Sequence, residues 1–407
     1  MHRDDPMDPL HEPLPRFDGD VHRVEYIAGA RRLSVRARMV ARLLQLSWRA
    51  YRDPTLAARA ARAVLARAVR TDSQSSHLVR VRGRVFGRLA APGFPSLAFD
   101  RGAEVELNRQ VPFRQGFDLP MALVAVTRRC ALHCQHCSEA DTLHQADPLT
   151  VESLRAIVTA LQARGASHIE LTGAEPLQRL DAVEAVVRGA LPGTDFWVLT
   201  SGALLTAPVA RRLADAGVTG VTVSLDHWDP PRHDAFRGAH GTFTRAVGGM
   251  RLARDAGLVV AASVTATRET ANLPDLLRIL DVARAHGATF ARVLEPQAAG
   301  RWAHADVSLS AENYAALRGL ARAARARWPD DAPILNDVGY IQQREGCPGA
   351  GAHYVFVDAA GEVHACPFCH GSAGHCLRDG LDVTLARLRA RGCQTSASPE
   401  LVPLRAR

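Results

Sequence analysis

The chain has 407 residues, of which 47% are hydrophobic, and it carries a formal net charge of +8. These values are typical of a folded protein with one large domain plus appendages, or with two to three domains, and they exclude a disordered or fibrous chain. No run of 18 apolar residues occurs and the start lacks the apolar core of a secretory signal, so we expect a cytoplasmic protein without a spanning helix.

The excess of positive over negative charge lies entirely in residues 1–118. Every basic residue is Arg, and residues 1–118 contain 21 Arg against 13 acidic residues. Residues 119–407 contain 29 of each, so their charges cancel. We therefore interpret residues 1–118 as a basic N-terminal extension that precedes the main domain.

This extension has four predicted parts. Residues 1–30 are predicted to form a flexible arm, and the apolar spacing over 33–51 predicts a helix with one apolar face. Residues 55–70 form a second Ala/Arg-rich helix in this prediction. Alternating apolar residues over 78–89 indicate a short strand or hairpin.

The Arg-rich segment 30–70 admits two interpretations. Its helices can pack on the main domain with their Arg side chains in water, or they can contact an anionic membrane surface or an acidic partner. Nucleic acid is not an expected partner, because the Arg residues are not interleaved with stacking aromatic residues.

Residues 119–330 alternate between apolar strand-like runs and helical runs. Six such units predict a parallel sheet with helices packed outside it, either an open doubly wound sheet or a partial barrel. Functional groups in such sheets gather at the carboxyl ends of the strands. The predicted strands are 121–127, 168–171, 196–200, 221–225, 259–265 and 289–294, and the predicted helices are 151–164, 180–190, 207–216, 242–256, 272–286 and 311–327.

Residues 331–407 are interpreted as a small cysteine-rich module and a tail. The segment is rich in Gly and has only short strand-like pieces, at 354–357 and 362–364. A module of this size cannot bury a large core by itself, so we expect a metal centre to stabilise it.

The eight cysteines fall into two groups, three at 130–137 and five at 347–393. Such clusters in a cytosolic protein indicate metal sites before disulfides. Cys130, Cys134 and Cys137 directly follow the first core strand and can ligate three irons of a [4Fe–4S] cluster, leaving the fourth iron open. The alternative is a zinc site that adds His133 or His136.

The triplet Cys130-x3-Cys134-x2-Cys137, its position after the first strand and the segments that follow resemble the radical S-adenosylmethionine (SAM) superfamily. The resemblance implies a partial (β/α)6 TIM-like barrel. It also implies that the open iron chelates SAM and that reductive cleavage yields a 5′-deoxyadenosyl radical. An electron donor such as flavodoxin or ferredoxin would supply the electron.

The turn Gly173-Ala174-Glu175-Pro176 after the second strand resembles the family's Gly-Gly-Glu-Pro segment, which receives the SAM ammonium. Small residues let a ligand approach the backbone closely, and a carboxylate can pair with an amine. Ala174 departs from the family pattern because Ala disfavours a positive φ. The alternative is a plain turn in which Glu175 starts the next helix.

Further SAM-binding positions are implied by the same resemblance. Ser201, Ser224 and Asp226 end the third and fourth strands, where family members line the SAM or substrate face. His136 occupies a position that the family often fills with an aromatic residue near the adenine. The alternative is that Ser201 and Asp226 only cap the loops that follow.

The second cysteine group resembles the SPASM and Twitch extensions of the superfamily. Four cysteines suffice for one auxiliary [4Fe–4S] cluster, and Cys393 is an alternative fourth ligand to Cys376. A zinc knuckle that uses His364, His370 or His375 is the other interpretation. The four predicted ligands are Cys347, Cys366, Cys369 and Cys376.

The sequence therefore predicts an enzyme that abstracts hydrogen from a peptide or other small-molecule substrate. SPASM-type relatives often modify ribosomally made peptides, which favours peptide or natural-product maturation. The alternatives are a lipid, sugar or cofactor precursor as substrate, or a non-catalytic iron–sulfur or zinc protein.

Overall fold

A computed structural model describes residues 24–70, 77–337 and 347–392 of the chain. The prediction of a flexible arm over residues 1–30 is wrong for residues 25–27, which form a strand. Tyr26 pairs antiparallel with Val79, so the backbone of this segment is held by a sheet. The first 23 residues of the predicted arm lie outside the described residues.

The N-terminal extension folds as the predicted helices and hairpin, with one further strand and one further helix. Ser96 caps the additional helix by accepting a hydrogen bond from Phe99 N. Its elements are β1 (Glu25–Ile27), α1 (Gly29–Tyr51), α2 (Pro54–Arg70), β2 (Leu78–Val81), β3 (Arg84–Phe86) and α3 (Leu97–Gln110).

The six predicted core strands are confirmed and pair in parallel in chain order. The strands are β4 (Met121–Ala125), β5 (His168–Thr172), β6 (Asp195–Thr200), β7 (Gly220–Ser224), β8 (Val259–Thr265) and β9 (Phe290–Leu294). The helices are α4 (Val151–Ala163), α5 (Leu180–Gly189), α6 (Ala207–Ala216), α7 (Pro230–Arg237), α8 (Thr242–Asp255), α9 (Leu273–Ala285) and α10 (Ala311–Arg327).

The core strands are buried on both faces, which explains their continuous apolar runs. In β6, Phe196 and Val198 belong to the large apolar cluster formed with the outer helices. Trp197, which lies between them in sequence, points to the opposite, concave face of the sheet and belongs to a second cluster.

Segments after residue 330 extend this sheet at both ends. The strand order is β10-β9-β8-β7-β6-β5-β4-β11-β12, with β10 (Ile334–Asp337), β11 (Tyr354–Val357) and β12 (Val363–His364). β11 lies parallel to β4, with Phe356 opposite Leu123. The cysteine-rich segment is therefore joined to the core through backbone hydrogen bonds, and the helix Leu381–Arg391 follows it.

The β2–β3 hairpin closes the concave face near the amino ends of the strands. Val79 and Phe86 of the hairpin pack against Trp197, Phe290 and other inward-facing side chains. Trp197 and Phe290 are at most 1% exposed. The opposite edge, where the strands end at their carboxyl termini, carries the predicted site residues.

We found no helix in the described ranges that combines the length and the apolar character needed to cross a membrane.

Candidate functional site

The loop that carries the first three cysteines begins directly after β4 and is fixed at its start by one buried carboxylate. Asp147 accepts hydrogen bonds from Thr127 Oγ1 at 2.9 Å and from Arg128 N at 2.7 Å. It also pairs with the Arg129 guanidinium at 3.1 Å. These contacts lock the three residues that precede Cys130, so the entry to the loop has a defined path.

The other side of the loop is held by the end of α7. His133 N donates to Arg237 O at 3.2 Å, and Gln135 N donates to Phe236 O at 3.0 Å. The contact is so close that a Cβ on Gly238 would lie 2.6 Å from the His133 carbonyl oxygen. The backbone between Cys130 and Cys137 is therefore clamped against α7.

A third contact fixes the end of the triplet. Arg301 N donates to Cys137 O at 3.0 Å. A Cβ on Gly300, whose φ is 54°, would lie only 2.2 Å from the same carbonyl oxygen. Only glycine permits this approach, which brings the segment after β9 onto the cysteine loop.

The three thiols influence one another electrostatically. None of Cys130, Cys134 and Cys137 is in a disulfide. Burial, with smaller contributions from the neighbouring Glu175, Cys134 and Cys137, raises the pKa of Cys130 to about 11 against the opposing hydrogen bond from Leu132 N. Burial likewise raises the pKa of Cys137 to about 11. Three thiols on one clamped loop are a donor set that fits an iron–sulfur cluster with one open iron.

The surroundings of the triplet bear on the zinc alternative. In the described parts of the chain, no three His, Cys, Asp or Glu side chains are grouped closely enough to hold one metal ion. An open cavity of about 660 Å³ borders Cys130, with Arg129, His144 and Gln178 in its wall. The Cys130 side of the loop therefore faces open space.

The turn after β5 has its positive φ at Gly173. This residue has φ 114°, and a Cβ there would lie 2.6 Å from the Thr127 carbonyl oxygen. Ala174 is not among the described non-glycine residues with positive φ. Ala therefore fits the second position of this turn, and Ala174 N donates to Thr127 O at 3.1 Å. The turn lies directly against the start of the cysteine loop.

Glu175 and Ser201, which the sequence places 26 residues apart, are joined by hydrogen bonds. The carboxylate accepts from Ser201 Oγ at 2.5 Å and from Ser201 N at 2.9 Å. It also accepts from Thr200 Oγ1 at 2.7 Å and from Leu177 N at 3.2 Å. Four donors occupy the usual acceptor capacity of a carboxylate, so this side chain is held rigidly between two strand ends. Its predicted contact with SAM stays a prediction.

Ser224 and Asp226 lie at the carboxyl end of β7. Ser224 is half-buried and lies opposite Ser263 of β8. Asp226 is 3% exposed, and its carboxylate accepts from Thr265 N at 3.0 Å and from Arg237 Nε at 2.7 Å. Asp226 is thus a member of a buried ion pair, and its predicted role toward SAM or substrate stays a prediction.

The residue that sequence reasoning missed is Arg237. The predicted elements include no helix between the strand at 221–225 and the helix at 242–256, but residues 230–237 form α7. Asp229 caps this helix before two prolines, and Gly238 ends it with φ 70°. This is a common start and stop pattern that could have revealed the helix. The guanidinium of Arg237 lies 3.7 Å from Cys134 Sγ.

His136 lies in an aromatic group beside the third cysteine. Its ring stacks on Phe236, with centroids 4.7 Å apart and planes 15° apart, and lies 5.9 Å from Trp302. Burial lowers the pKa of His136 to about 4, and the Arg237 charge adds to this effect, so the ring is neutral at pH 7. Its Nδ1 is buried and has no hydrogen-bond partner among the described residues. An apolar, neutral surface of this kind suits the face of a heterocycle, as predicted for adenine.

The concave face between the hairpin and the cysteine loop contains a second buried ion pair. Arg292 of β9 donates from Nη1 to Glu170 Oε2 of β5 at 3.0 Å. Glu170 also contacts His168, and the Arg292 cation holds the pKa of Glu170 at about 2 despite complete burial. The pair joins β9 to β5, with three strands between them in the sheet order. This contact across the concave face helps to fix the curvature of the sheet.

Backbone pairing gathers the second cysteine group into one module. Ala350 N donates to Ala365 O at 2.9 Å, which brings the Cys347 segment beside Cys366. Cys369 N donates to Cys366 O at 3.1 Å. Cys376 N donates to Gly361 O at 2.8 Å, and burial raises the pKa of Cys376 to about 12. Cys393 lies outside the described residues.

Two of the three histidines of the zinc alternative have partners within the local fold. His364 Nε2 lies 3.1 Å from Asp358 Oδ2. His375 Nδ1 accepts a hydrogen bond from Leu377 N at 3.1 Å. Both side chains therefore serve the local fold, and the four cysteines and His370 stay predicted ligands of this module.

The chain is similar in sequence to several known proteins. Residues 124–281 match the family model of the radical SAM superfamily. The chain is 30% identical over 280 residues to the mycofactocin maturase MftC of Mycobacterium tuberculosis, which covers 66% of this chain and 70% of that protein. It is 31% identical over 253 residues to the PqqA peptide cyclase of Streptomyces rochei, which covers 60% and 68%.

The solved structure of native anSMEcpe with bound AdoMet has the same fold. The TM-score is 0.54 at 14% sequence identity, over 67% of this chain and 82% of that one. At this low sequence identity, the similarity shows only that the strands and helices are arranged in the same way.

Proposed function

This chain belongs to the radical SAM superfamily, and we propose that it matures a peptide substrate by radical chemistry that starts at the loop of Cys130, Cys134 and Cys137. It is an enzyme that uses a [4Fe–4S] cluster and SAM. The observation that carries the proposal is that three cysteines lie on one loop after β4, clamped by Asp147, α7 and Gly300.

In this proposal Cys130, Cys134 and Cys137 hold three irons of the cluster and leave the fourth iron to SAM. When bound, the cluster supplies the electron that cleaves SAM to the radical that takes a hydrogen atom from substrate. The contribution of the protein is to hold the cluster and SAM in fixed positions. The contacts of Asp147 and Gly300 fix the path of the loop, so the open iron would face a defined direction.

Several side chains of the strand ends would position SAM. The turn at Gly173 and Ala174 packs against the start of the cysteine loop, and the rigid Glu175–Ser201 pair would fix the edge near Cys130 against which SAM would lie. His136 would offer its neutral ring to the adenine, supported by Phe236. Ser224 and Asp226 complete the predicted set at the end of β7.

The packing of the extension would keep water from the amino-terminal side of the concave face. Trp197, Phe290 and the hairpin residue Phe86 fill that end, and the Arg292–Glu170 pair lies on the same face. A substrate would therefore approach from the carboxyl edge, where the cysteine loop lies. A dry, one-sided site suits a reactive radical, because water and stray partners are kept away.

A peptide is the substrate class that we propose. The relatives support this choice, since one is a peptide cyclase and another a maturase. An auxiliary [4Fe–4S] cluster held by Cys347, Cys366, Cys369 and Cys376 would lie in the module that β11 attaches to β4. Flavodoxin or ferredoxin is the proposed electron donor. The exposed face of residues 30–70 stays a predicted contact for an anionic membrane surface or an acidic partner.

The test is an anaerobic assay with the reconstituted enzyme, SAM, dithionite and host extract. The extract is divided into a small-protein fraction, the same fraction after protease digestion, and a small-molecule fraction. We expect 5′-deoxyadenosine together with a mass change of a peptide in the first fraction only. A Cys134→Ala variant serves as the control for cluster-dependent turnover.

Each outcome decides between substrate classes. Turnover that survives digestion, or that occurs with the small-molecule fraction, would contradict a peptide substrate and favour a cofactor, sugar or lipid precursor. Equal 5′-deoxyadenosine formation by Cys134→Ala would contradict the assignment of the first cysteine loop.

A further inference from the structure

Arg237 is a buried cation that contacts both a carboxylate and a cysteine of the first loop. The residue is 7% exposed and ends α7. Its Nε donates to Asp226 Oδ2 at 2.7 Å, and its Nη2 forms an ion pair with the same oxygen. Its Nη1 lies 3.7 Å from Cys134 Sγ, within hydrogen-bond distance for sulfur.

The position of the guanidinium is fixed by its partners. Asp226 cannot turn away, because Oδ1 accepts from Thr265 N at 3.0 Å and the residue is 3% exposed. The backbone of Arg237 also contributes, since its carbonyl oxygen accepts from His133 N. One residue therefore holds the cysteine loop through both its main chain and its side chain.

The positive charge of Arg237 would affect the reduction of any cluster that Cys134 ligates. The one-electron reduction of [4Fe–4S]2+ to [4Fe–4S]+ adds negative charge, which spreads onto the thiolate sulfurs. A fixed cation and an N–H donor beside one sulfur stabilise the reduced form more than the oxidised form. The pair also orients the ligand, as buried contacts behind a metal ligand generally do.

We propose that Arg237 is a positioning residue that raises the reduction potential of the cluster through Cys134 and that Asp226 limits this effect by neutralising part of its charge. The inference rests on the proposed function, because it requires the cluster at the first cysteine loop. It assigns Asp226 a role through Arg237 that is separate from any contact with SAM.

The test is a potentiometric titration of the anaerobically reconstituted full chain with dithionite, followed by EPR. The signal of the first cluster is identified in a separate sample as the one that changes when SAM is added. We expect Arg237→Met to shift its midpoint potential to a more negative value, so that a smaller fraction is reduced at a given dithionite concentration. Arg237→Lys keeps the charge and should restore part of the shift.

Two further variants separate this role from simple structural support. Arg292→Met removes a second buried Arg that pairs with a carboxylate, Glu170, and that has no described cysteine among its hydrogen-bond partners. It should lower the melting temperature as Arg237→Met does and leave the midpoint potential unchanged. Asp226→Asn removes the neutralising charge and should shift the potential in the opposite, more positive direction.

The outcomes distinguish a failure of this inference from a failure of the proposed function. A SAM-responsive cluster whose midpoint potential is the same in the wild type and in Arg237→Met would overturn the inference and leave the proposed function intact. Equal shifts in Arg237→Met and Arg292→Met would overturn it as well, since they would reflect a general loosening. A wild-type chain without any SAM-responsive signal would contradict the proposed function itself.

Discussion

The two cysteine groups lie in surroundings of different character. The first is polarised, because Glu175 lies near Cys130 and the Arg237 cation lies 3.7 Å from Cys134. The second is attached at the edge of the sheet through β11, and burial alone raises the pKa of Cys376 to about 12. A charged neighbour stabilises a change in electron density at Cys134, whereas burial is the cause that acts on the Cys376 thiol.

The largest expected effect comes from removing one cysteine of each group. Cys134→Ala should lose the EPR change on SAM addition completely, because two protein ligands hold the cubane poorly. Cys376→Ala should keep that change and lose only the iron of the second module, about half of the total if each group holds one cluster. Iron analysis and EPR of both variants measure this difference. Loss of the SAM response in Cys376→Ala would show that the two groups do not act independently.

The next effect concerns the tight packing that distinguishes the first loop. In Gly300→Ala the new methyl group would lie 2.2 Å from the Cys137 carbonyl oxygen, so the loop must shift. We expect a loss of more than about 3 kcal/mol in the free energy of unfolding, together with lower iron content.

Gly83→Ala is the matched control. Gly83 has a positive φ of 75°, and nothing lies within 4 Å of its added Cβ, so only the backbone penalty of about 1–2 kcal/mol applies. Urea unfolding of both variants gives the comparison. Equal losses would mean that the loop is less tightly clamped than the contact at Gly300 implies.

The smallest effect concerns how the second module is held. His353 precedes β11, and its Nε2 lies 3.3 Å from Arg109 Nη2 of the extension and also contacts Arg67. Burial lowers the pKa of His353 to about 2, and the charges of Arg109 and Arg67 add to this effect. The folded state therefore favours the neutral ring. In the unfolded chain His353 has a pKa of about 6.5, so above this pH the ring is neutral in both states and the folded state is not penalised. As the pH falls below about 6.5, only the unfolded chain takes up the proton, and the free energy of unfolding decreases.

We expect unfolding experiments between pH 7 and pH 4 to show a loss of stability that is smaller in His353→Gln, since Gln cannot be protonated. The release of the second module can be followed by limited proteolysis around residues 347–392. An identical pH dependence in the wild type and in the variant would exclude His353 as the sensitive group.

The sequence by itself determined the core elements and the position of the first site. The βα periodicity placed all six core strands, and the triplet of Cys130, Cys134 and Cys137 after the first strand predicts a site at the carboxyl edge. Both follow from local spacing, because strand and helix periods and the parallel order of the strands are properties of short segments.

Only the tertiary structure decided which distant side chains meet. The Arg237 contact with Cys134, the seal of Trp197 by the β2–β3 hairpin, and the insertion of β11 beside β4 join segments more than 100 residues apart. No periodicity specifies such contacts, since they depend on the register and curvature of the sheet and on packing in three dimensions. For this reason the charge environment of the first cysteine loop could not be predicted from the residues that surround it in sequence.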